Sequence, residues 1–377
     1  MPAQLKRVVL LCTALNAIGG TSRHMAQIYR GLDKGKFRPF IVFSSLQEAS
    51  LRDFFIKEGC APEDIRAIPH VTRCLCGAFK GLRRAWHELK PDIVHSFFLH
   101  SDILSRATTF FMPSIVRVSS VEGKFIWDRD NGVGAFKNAC YRLLNTRVRK
   151  SFARTITVSS ELKDEVVAMG GNKERITIVP VGVPVVEVGL LKPWPPQADI
   201  VAGTLSRFSQ DKGVDLLLQA AVACRQELAR VSFILGGAGD EEARLKAMAR
   251  DLGIVEMVVF PGWVEDVTGF LNGIDIYVMP SRREGCPLGL MEAMMHAKAC
   301  VVFDVPGVRA IARHEQNALV IPAFDTAAFG KAICRLALDR QLRAALGARA
   351  RSDAVARHSL AREMKELEAV YVQAGKA

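Results

Sequence analysis

The sequence predicts an α/β protein of two doubly wound, Rossmann-like domains. Three observations predict it. At 377 residues the chain is longer than a single hydrophobic core sustains. Short apolar runs alternate with stretches of helical period along nearly its whole length, the pattern of parallel sheets covered on both faces. The alternation breaks once, around Val183–Asp199, where Pro184, Pro193, Pro195 and Pro196 exclude regular structure, and then resumes.

In the first half, Val8–Ala14 reads as a buried strand running into Asn16 and the turn Gly19-Gly20. Thr21–Leu32 has helical period, and Phe40–Phe43 is a second buried strand. Asp92–His95, Ile115–Val118, Thr155–Val158 and Ile176–Val179 continue the strand series. Helical stretches lie between them, for example Glu161–Met169 behind the capping serines Ser159-Ser160. In the second half, Ile200–Leu205 is a strand and Val214–Leu228 a helix. Val231–Leu235 is a strand entering Gly236-Gly237-Ala238-Gly239-Asp240, and Glu241–Leu252 a helix. Val258–Phe260 and Ile274–Met279 are strands, Leu288–His296 a helix, Cys300–Phe303 a strand and Ser359–Gln373 an amphipathic terminal helix. In such folds ligands sit at the carboxyl ends of strands, so the cleft between the domains is the expected site.

Composition narrows the function classes. With 49% hydrophobic and 24% charged residues the chain is ordinary for a globular protein, with no repeat or low-complexity segment. Nine scattered cysteines, with no CxxC and no zinc spacing, read as small buried hydrophobes in a reducing compartment. No signal peptide and no membrane-spanning run is read, so a cytoplasmic location is expected. The charge is lopsided: residues 1–190 hold 28 Lys and Arg against 17 Asp and Glu, and residues 191–377 hold 23 against 22. A basic first half attracts anionic lipid or phosphorylated acceptors. Lys80–Trp86 and Arg147–Arg154 mix basic and aromatic residues; they read either as solvated helix faces or as contacts with the inner face of an anionic membrane. No nucleic-acid-binding module is found.

The chemistry concentrates in Glu284-Gly-Cys-Pro-Leu-Gly-Leu-Met-Glu292. A buried strand ends at Pro280-Ser281, Glu284 falls in the next loop, Gly285 permits close backbone approach, and Pro287 suits a first helical turn. Cys286 and Leu288 complete the helix start, whose N–H groups can meet phosphate. Glu292 lies one to two turns on, where it can reach back toward hydroxyls. Upstream, Arg207 and Lys212 follow another strand end and can neutralise a diphosphate. Cations held in place beforehand stabilise a departing diphosphate without metal. Gly236–Asp240 reads equally as a structural turn or as a loop exposed to the cleft. Asp128-Arg129-Asp130 reads as an exposed loop rather than a metal pair, and the histidines carry no metal spacing.

These pieces resemble the glycosyltransferase family 4 group, retaining transferases of the GT-B fold. They stand in the family's order: Arg207 with Lys212-Gly213, Gly236–Asp240, Phe260–Asp266, Pro280-Ser281, then Glu284 and Glu292. The resemblance implies a first, acceptor-side domain over 1–185, a donor domain over 198–358, and a last helix, 359–377, crossing back onto the first domain. It implies that Arg207 and Lys212 bind the donor diphosphate and that Glu284 contacts the transferred sugar. It implies that Glu292 holds the ribose hydroxyls and that Gly19 and Gly20 approach the phosphates from the first domain. The co-substrate would be a nucleotide-diphosphate sugar, UDP favoured over GDP, with no cofactor and no metal. The acceptor would be a glycan or a lipid-linked glycan of bacterial surface polysaccharide, lipopolysaccharide or glycolipid assembly.

The chain departs from the family in three places. Many relatives carry a histidine after the strand read at Ile115–Val118, where this chain has Ser119-Ser120-Val121-Glu122-Gly123, with His95 and His100 nearby in sequence. A small-proline pair is replaced by Ala297-Lys298-Ala299, and a double glycine by Pro306-Gly307. A nucleotide-sugar epimerase on the same fold and a non-catalytic nucleotide-sugar-binding relative are the competing readings. A dinucleotide-dependent oxidoreductase fits poorly, because Gly19-Gly20-Thr-Ser does not make a G-x-G-x-x-G turn.

Overall fold

The computed structural model describes residues 5–13, 15, 18–122, 146–148, 150–189, 200–227 and 231–375. Asn16, Gly123, Asp128, Asp130, Arg149, Pro193, Pro195 and Pro196 lie outside the described residues. The chain divides into two compact units, Met1–Val181 with Leu360–Ala377, and Gly182–Ser359.

The first unit is built on seven parallel strands: β1 (Lys6–Cys12), β2 (Phe37–Phe43), β3 (Ile65–Ala67), β4 (Ile93–Phe97), β5 (Val116–Val121), β6 (Arg154–Thr157) and β7 (Ile176–Ile178). They lie in the order β3-β2-β1-β4-β5-β6-β7. The centre of the sheet explains the unbroken apolar run of β1. Val8, Leu10 and Cys12 pack into one face with Met25, Ile28 and Tyr371. Val9 and Leu11 pack into the other with Leu82, Trp86 and Leu104. Every side chain of a strand covered on both faces is buried, so the polar alternation of a one-faced strand disappears.

The second unit holds β8 (Ile200–Leu205), β9 (Val231–Gly236), β10 (Val258–Gly262), β11 (Ile276–Met279), β12 (Ala299–Phe303) and β13 (Leu319–Ile321), in the order β10-β9-β8-β11-β12-β13. All the pairings are parallel. The three-residue edge strands β3 and β13 are not among the strands read from the sequence.

β5 departs from expectation in a way that matters. The apolar signal ends at Val118, but the strand runs on through Ser119, Ser120 and Val121, paired with β4 and β6. The two serines are buried because each finds a partner. Ser119 Oγ donates to Asp102 Oδ2 at 2.8 Å, and Ser120 Oγ lies 2.7 Å from His95 Nε2. A hydrogen-bonded hydroxyl removes most of the burial penalty that makes serine read as loop. The residue that leaves this strand is therefore Glu122.

The terminal helix Leu360–Ala374 belongs to the first unit. Tyr371 is buried against Phe37 and lies with its hydroxyl 2.8 Å from His95 Nδ1. The cysteine reading needs one correction. Cys12, Cys60, Cys224, Cys300 and Cys334 are buried, but Cys74 and Cys76 are exposed. Cys74 caps the helix Leu75–Leu89, its Sγ accepting from the Gly77 N–H at 3.1 Å, so a cap position holds it at the surface. Among the described residues no helix is long and apolar enough to cross a membrane.

Candidate active site

Strand order decides where chemistry collects in the second unit. The chain leaves β8 to build β9 and β10 on one side and later returns to place β11 on the other. Loops leaving β8 and β11 thus diverge at the point where the order reverses, which in doubly wound sheets opens a ligand crevice. Those two loops carry Lys212 and Glu284.

The structure joins them. Lys212 Nζ donates to both carboxylate oxygens of Glu284, at 2.9 and 3.0 Å. Ser281 Oγ donates to Glu284 Oε1 at 2.6 Å. The Glu284 side chain is only 9% exposed and that of Lys212 25%. A carboxylate that far from water needs such partners. Behind the pair, Arg282 clamps Asp215 with two hydrogen bonds of 2.7 and 2.8 Å, and its backbone N–H reaches Asp211 O at 2.8 Å. Burial raises the Asp215 carboxyl, but the Arg282 hydrogen bonds and charge outweigh it, and its pKa falls below the usual value. This clamp escaped the reading of the sequence, although Arg282 stands only two residues before Glu284.

Two glycines make the close approach of these loops feasible. Gly213 has φ +65°, and a Cβ there would stand 2.0 Å from Pro280 O. Gly307 has φ +78°, and a Cβ there would stand 2.6 Å from Glu284 O and 2.9 Å from Gly285 O. Of the family's double glycine this chain keeps the one that the Glu284 loop presses against. We expect Gly213→Ala to lower stability by about 1–3 kcal/mol and to weaken ligand binding at Lys212. Thermal unfolding with and without nucleoside diphosphate measures both.

The other expected residues are placed as follows. Arg207 shares the β8 loop with Lys212 but does not join Glu284. Its side chain is 63% exposed, held loosely by Ser209 Oγ at 3.3 Å and Asp211 at 4.0 Å. The Gly236–Asp240 loop is laced to the β8 loop by Ser206 N–H to Gly236 O and Phe208 N–H to Ala238 O, with Gly236 and Gly237 buried and Gly239 and Asp240 exposed. Gly285 and Cys286 are half-buried, and Pro287 is the N-cap of the helix Leu288–Met295 rather than its first residue. At this helix start Leu288 N–H donates to Cys286 O and Leu290 N–H to Pro287 O, because the chain tightens at Pro287, while Met291 N–H makes the ordinary first helical bond to Pro287 O.

Glu292 is half-buried on the same helix. Beside it lies Tyr277, a fully buried residue that the strand pattern hid as core. Its phenol is pushed well above the ordinary range, first by burial and then by the charges of Glu292 and Glu284. Lys298, in the replaced small-proline position, is buried and donates to Ile274 O at 2.9 Å, tying the start of β12 to the turn before β11.

Gly19 and Gly20 belong to the first unit, exposed after β1. Gly19 N–H donates to Ser22 Oγ at 2.8 Å, and open space surrounds the position a Cβ would take. On the helix they begin, Gly20–Gly31, His24 is buried between two carboxylates: Nδ1 lies 2.6 Å from Glu122 and Nε2 2.5 Å from Glu363 of the terminal helix. Burial lowers the imidazole, but the charges of Glu363 and Glu122 more than reverse this, so His24 is held well above the usual histidine range. His95 is pushed down to about 3, by burial first and then by the His24 charge. His100 is exposed. The histidine beside the end of β5 thus comes from a helix 98 residues earlier in the chain. No cluster of three or more metal-ligating side chains occurs among the described residues.

Comparison with known proteins follows this division. Residues 18–187 match the model described as Glycosyltransferase Family 4, and residues 199–339 match that described as Glycosyl transferases group 1. The chain is 31% identical over 167 residues to a lipopolysaccharide core biosynthesis glycosyltransferase of Rhizobium meliloti, covering 44% of this chain and 47% of the relative. It is 28% identical over 176 residues to a lipopolysaccharide core biosynthesis mannosyltransferase of Rhizobium leguminosarum, covering 45% and 50%. The chain therefore spans about half the length of these relatives. Among solved structures, Anabaena HepE in complex with UDP and glucose superposes with a TM-score of 0.80 at 16% identity, over 97% of this chain and 99% of that one. A TarM mutant of S. aureus bound to UDP gives 0.78 at 12% identity, over 99% and 100%. Two parallel-sheet units of GT-B type, with family models matching each in turn, place this chain in the group 1, family 4 glycosyltransferases.

Proposed function

We propose that the chain is a retaining glycosyltransferase that moves a hexose-type sugar from a nucleotide-diphosphate donor, UDP-sugar favoured over GDP-sugar. The acceptor is a glycan or lipid-linked glycan of bacterial surface polysaccharide, lipopolysaccharide or glycolipid assembly. The observation that carries this reading is the Lys212–Glu284 pair at the β8/β11 switch point. A cation and a carboxylate side by side match the two ends of the bond that breaks. Lys212, with Arg207 on the same loop, meets the negative charge that grows on the diphosphate as the sugar leaves. Glu284 faces the electron-poor sugar and its hydroxyls, and Glu292 meets the ribose. Because the cations are side chains, no metal or cofactor is required. Retention by attack on the face the diphosphate leaves requires no protein nucleophile. The names of the relatives support the pathway, and the UDP carried by two structural neighbours supports the donor base. The protein works at the inner face of the cytoplasmic membrane, its basic first unit toward anionic lipid.

The test is turnover. With a panel of UDP- and GDP-sugars and lipid-linked or core-oligosaccharide acceptors, the protein releases nucleoside diphosphate only when donor and acceptor are both present. Saturable donor binding without turnover on the whole panel would turn the reading to a binding module. Binding itself is checked with the Arg207→Ala/Lys212→Ala variant. Its affinity for nucleoside diphosphate falls about 10–100-fold, as expected when two charge-assisted contacts are lost; unaltered affinity places the diphosphate elsewhere.

A further inference from the structure

We infer that the loop Phe110–Ser114 is a docking tip that seats the first unit on an anionic lipid surface. The peripheral contact proposed above is its premise; the donor reading is not. The loop joins the helix Phe98–Thr108 to β5. Phe110 is 62% exposed and Phe111 81%, their rings edge to face at 5.0 Å. Pro113 is exposed beside them and Met112 half-buried. Of these four consecutive apolar residues Met112 packs against the core of the unit, whereas Phe110, Phe111 and Pro113 stand in solvent. They are not loosely held: Met112 N–H donates to Thr109 O at 2.9 Å and Ile115 N–H to Met112 O at 3.1 Å. The backbone is closed upon itself and presents the two rings outward.

Cations surround the base of this tip. Arg83 Nη1 reaches Thr108 O at 3.5 Å. Arg117 Nη1 reaches Thr109 Oγ1 at 3.2 Å, and its Nη2 reaches Ser151 O at 3.1 Å. Arg106 stands one turn before Phe110. Among the described residues none of these three guanidinium groups has a carboxylate partner. Arg106 and Arg117 are close enough that, after burial, the charge of Arg106 helps lower the Arg117 pKa. Arg83 of the segment 80–86 thus reaches the base of the tip directly, and Ser151 of the segment 147–154 reaches it through Arg117.

Unpaired cations around protruding aromatic rings select the occupant. Anionic headgroups balance the net positive charge at the base of the tip, while the rings enter the boundary between headgroups and acyl chains. A fluid interface yields to a convex tip, whereas a folded partner would need a complementary hollow. The placement within the unit also fits. The loop precedes β5 and Lys150–Ala153 precede β6, so the tip lies at the amino edge of the sheet. Gly19, Gly20 and Glu122 lie at the carboxyl edge, which lipid docking leaves open.

The test is co-sedimentation with vesicles of phosphatidylcholine and phosphatidylglycerol, against phosphatidylcholine alone. The wild type partitions onto the anionic vesicles and is released by salt. Phe110→Ser/Phe111→Ser lowers the partition at least about 10-fold with an unchanged unfolding midpoint, since both rings are already exposed. As a second measurement, Phe111→Trp is quenched by brominated lipid only in anionic vesicles. Wild type that stays in the supernatant at low salt overturns both this inference and the peripheral reading. A double-serine variant that binds as wild type overturns the tip alone, and so does an unquenched Trp at 111. A wild-type dimer that the double-serine substitution converts to monomer, with lipid binding unchanged, reassigns the rings to a second copy of the chain.

Discussion

Lys212→Met lowers transfer about 10²–10³-fold, the loss typical of removing one preorganised group that meets transition-state charge. The two partners of the pair are not equivalent, and the difference is measurable. Without Lys212, Glu284 keeps only the Ser281 hydroxyl as a side-chain partner among the described residues and remains in a place only 9% exposed. An uncompensated carboxylate there repels an arriving diphosphate, so donor affinity falls along with kcat. Glu284→Gln does the opposite to binding. It frees Lys212 for the diphosphate, so affinity stays within about 3-fold of wild type while kcat drops by a comparable 10²–10³. Calorimetric binding of nucleoside diphosphate beside steady-state transfer separates the effects. If Lys212→Met leaves both within 2-fold, the pair is a structural tie and the assigned chemistry is wrong.

His24→Leu is the substitution expected to cost most stability, about 3–5 kcal/mol. It leaves Glu122 and Glu363, with side chains 10% and 3% exposed, facing each other without the cation between them. The damage falls on the first unit, because Glu363 sits on the terminal helix that closes it. Urea unfolding followed through the buried Trp86 reads this loss. Histidine chemistry also sets the pH profile. His24 has its pKa raised in the folded state, so its contribution is complete below about 6.5 and is lost as pH rises through the folded value. His95 is neutral when folded, with a pKa of about 3, so its contribution is complete above the ordinary histidine range and is lost as pH falls below it. That acid limb is worth about 1.4 kcal/mol per pH unit at most. From these two histidines the stability of the first unit passes through a maximum near the ordinary histidine pKa of about 6.5. His24→Gln flattens the alkaline limb, and His95→Phe the acid one. A profile unchanged by His24→Gln would mean that the imidazole is not the cation that holds the two glutamates.

Much of the candidate site was legible because its residues sit where local pattern is strongest. Lys212 and Glu284 each follow an unmistakable apolar strand, and glycine or proline punctuation marks the turns. Arg282 and Asp215 were passed over because a surface arginine and a first-turn aspartate are common on any helix-flanked loop. Tyr277 looked like one more apolar strand residue. The first unit was harder. Ser119 and Ser120 read as loop because hydroxyl groups signal exposure, whereas Asp102 and His95 supply buried partners that no neighbouring residue announces. Phe110 and Phe111 drew no reading from the sequence, because only burial separates an aromatic residue in the core from one standing in solvent.

By itself the sequence determined the class of fold, the number of domains, the basic character of the first and the order of motifs along the second. All of these follow from local periodicity, turn chemistry and counting, properties a linear string carries in full. Tertiary structure decided which motifs meet. Lys212 and Glu284 are 72 residues apart, and they touch because β8 and β11 are neighbours in the sheet. His24, Glu122 and Glu363 come from three elements and span 339 residues, and they touch because the terminal helix packs on the first unit. Strand order and helix docking are settled by the burial of whole faces, a global free-energy balance that no window of the sequence contains.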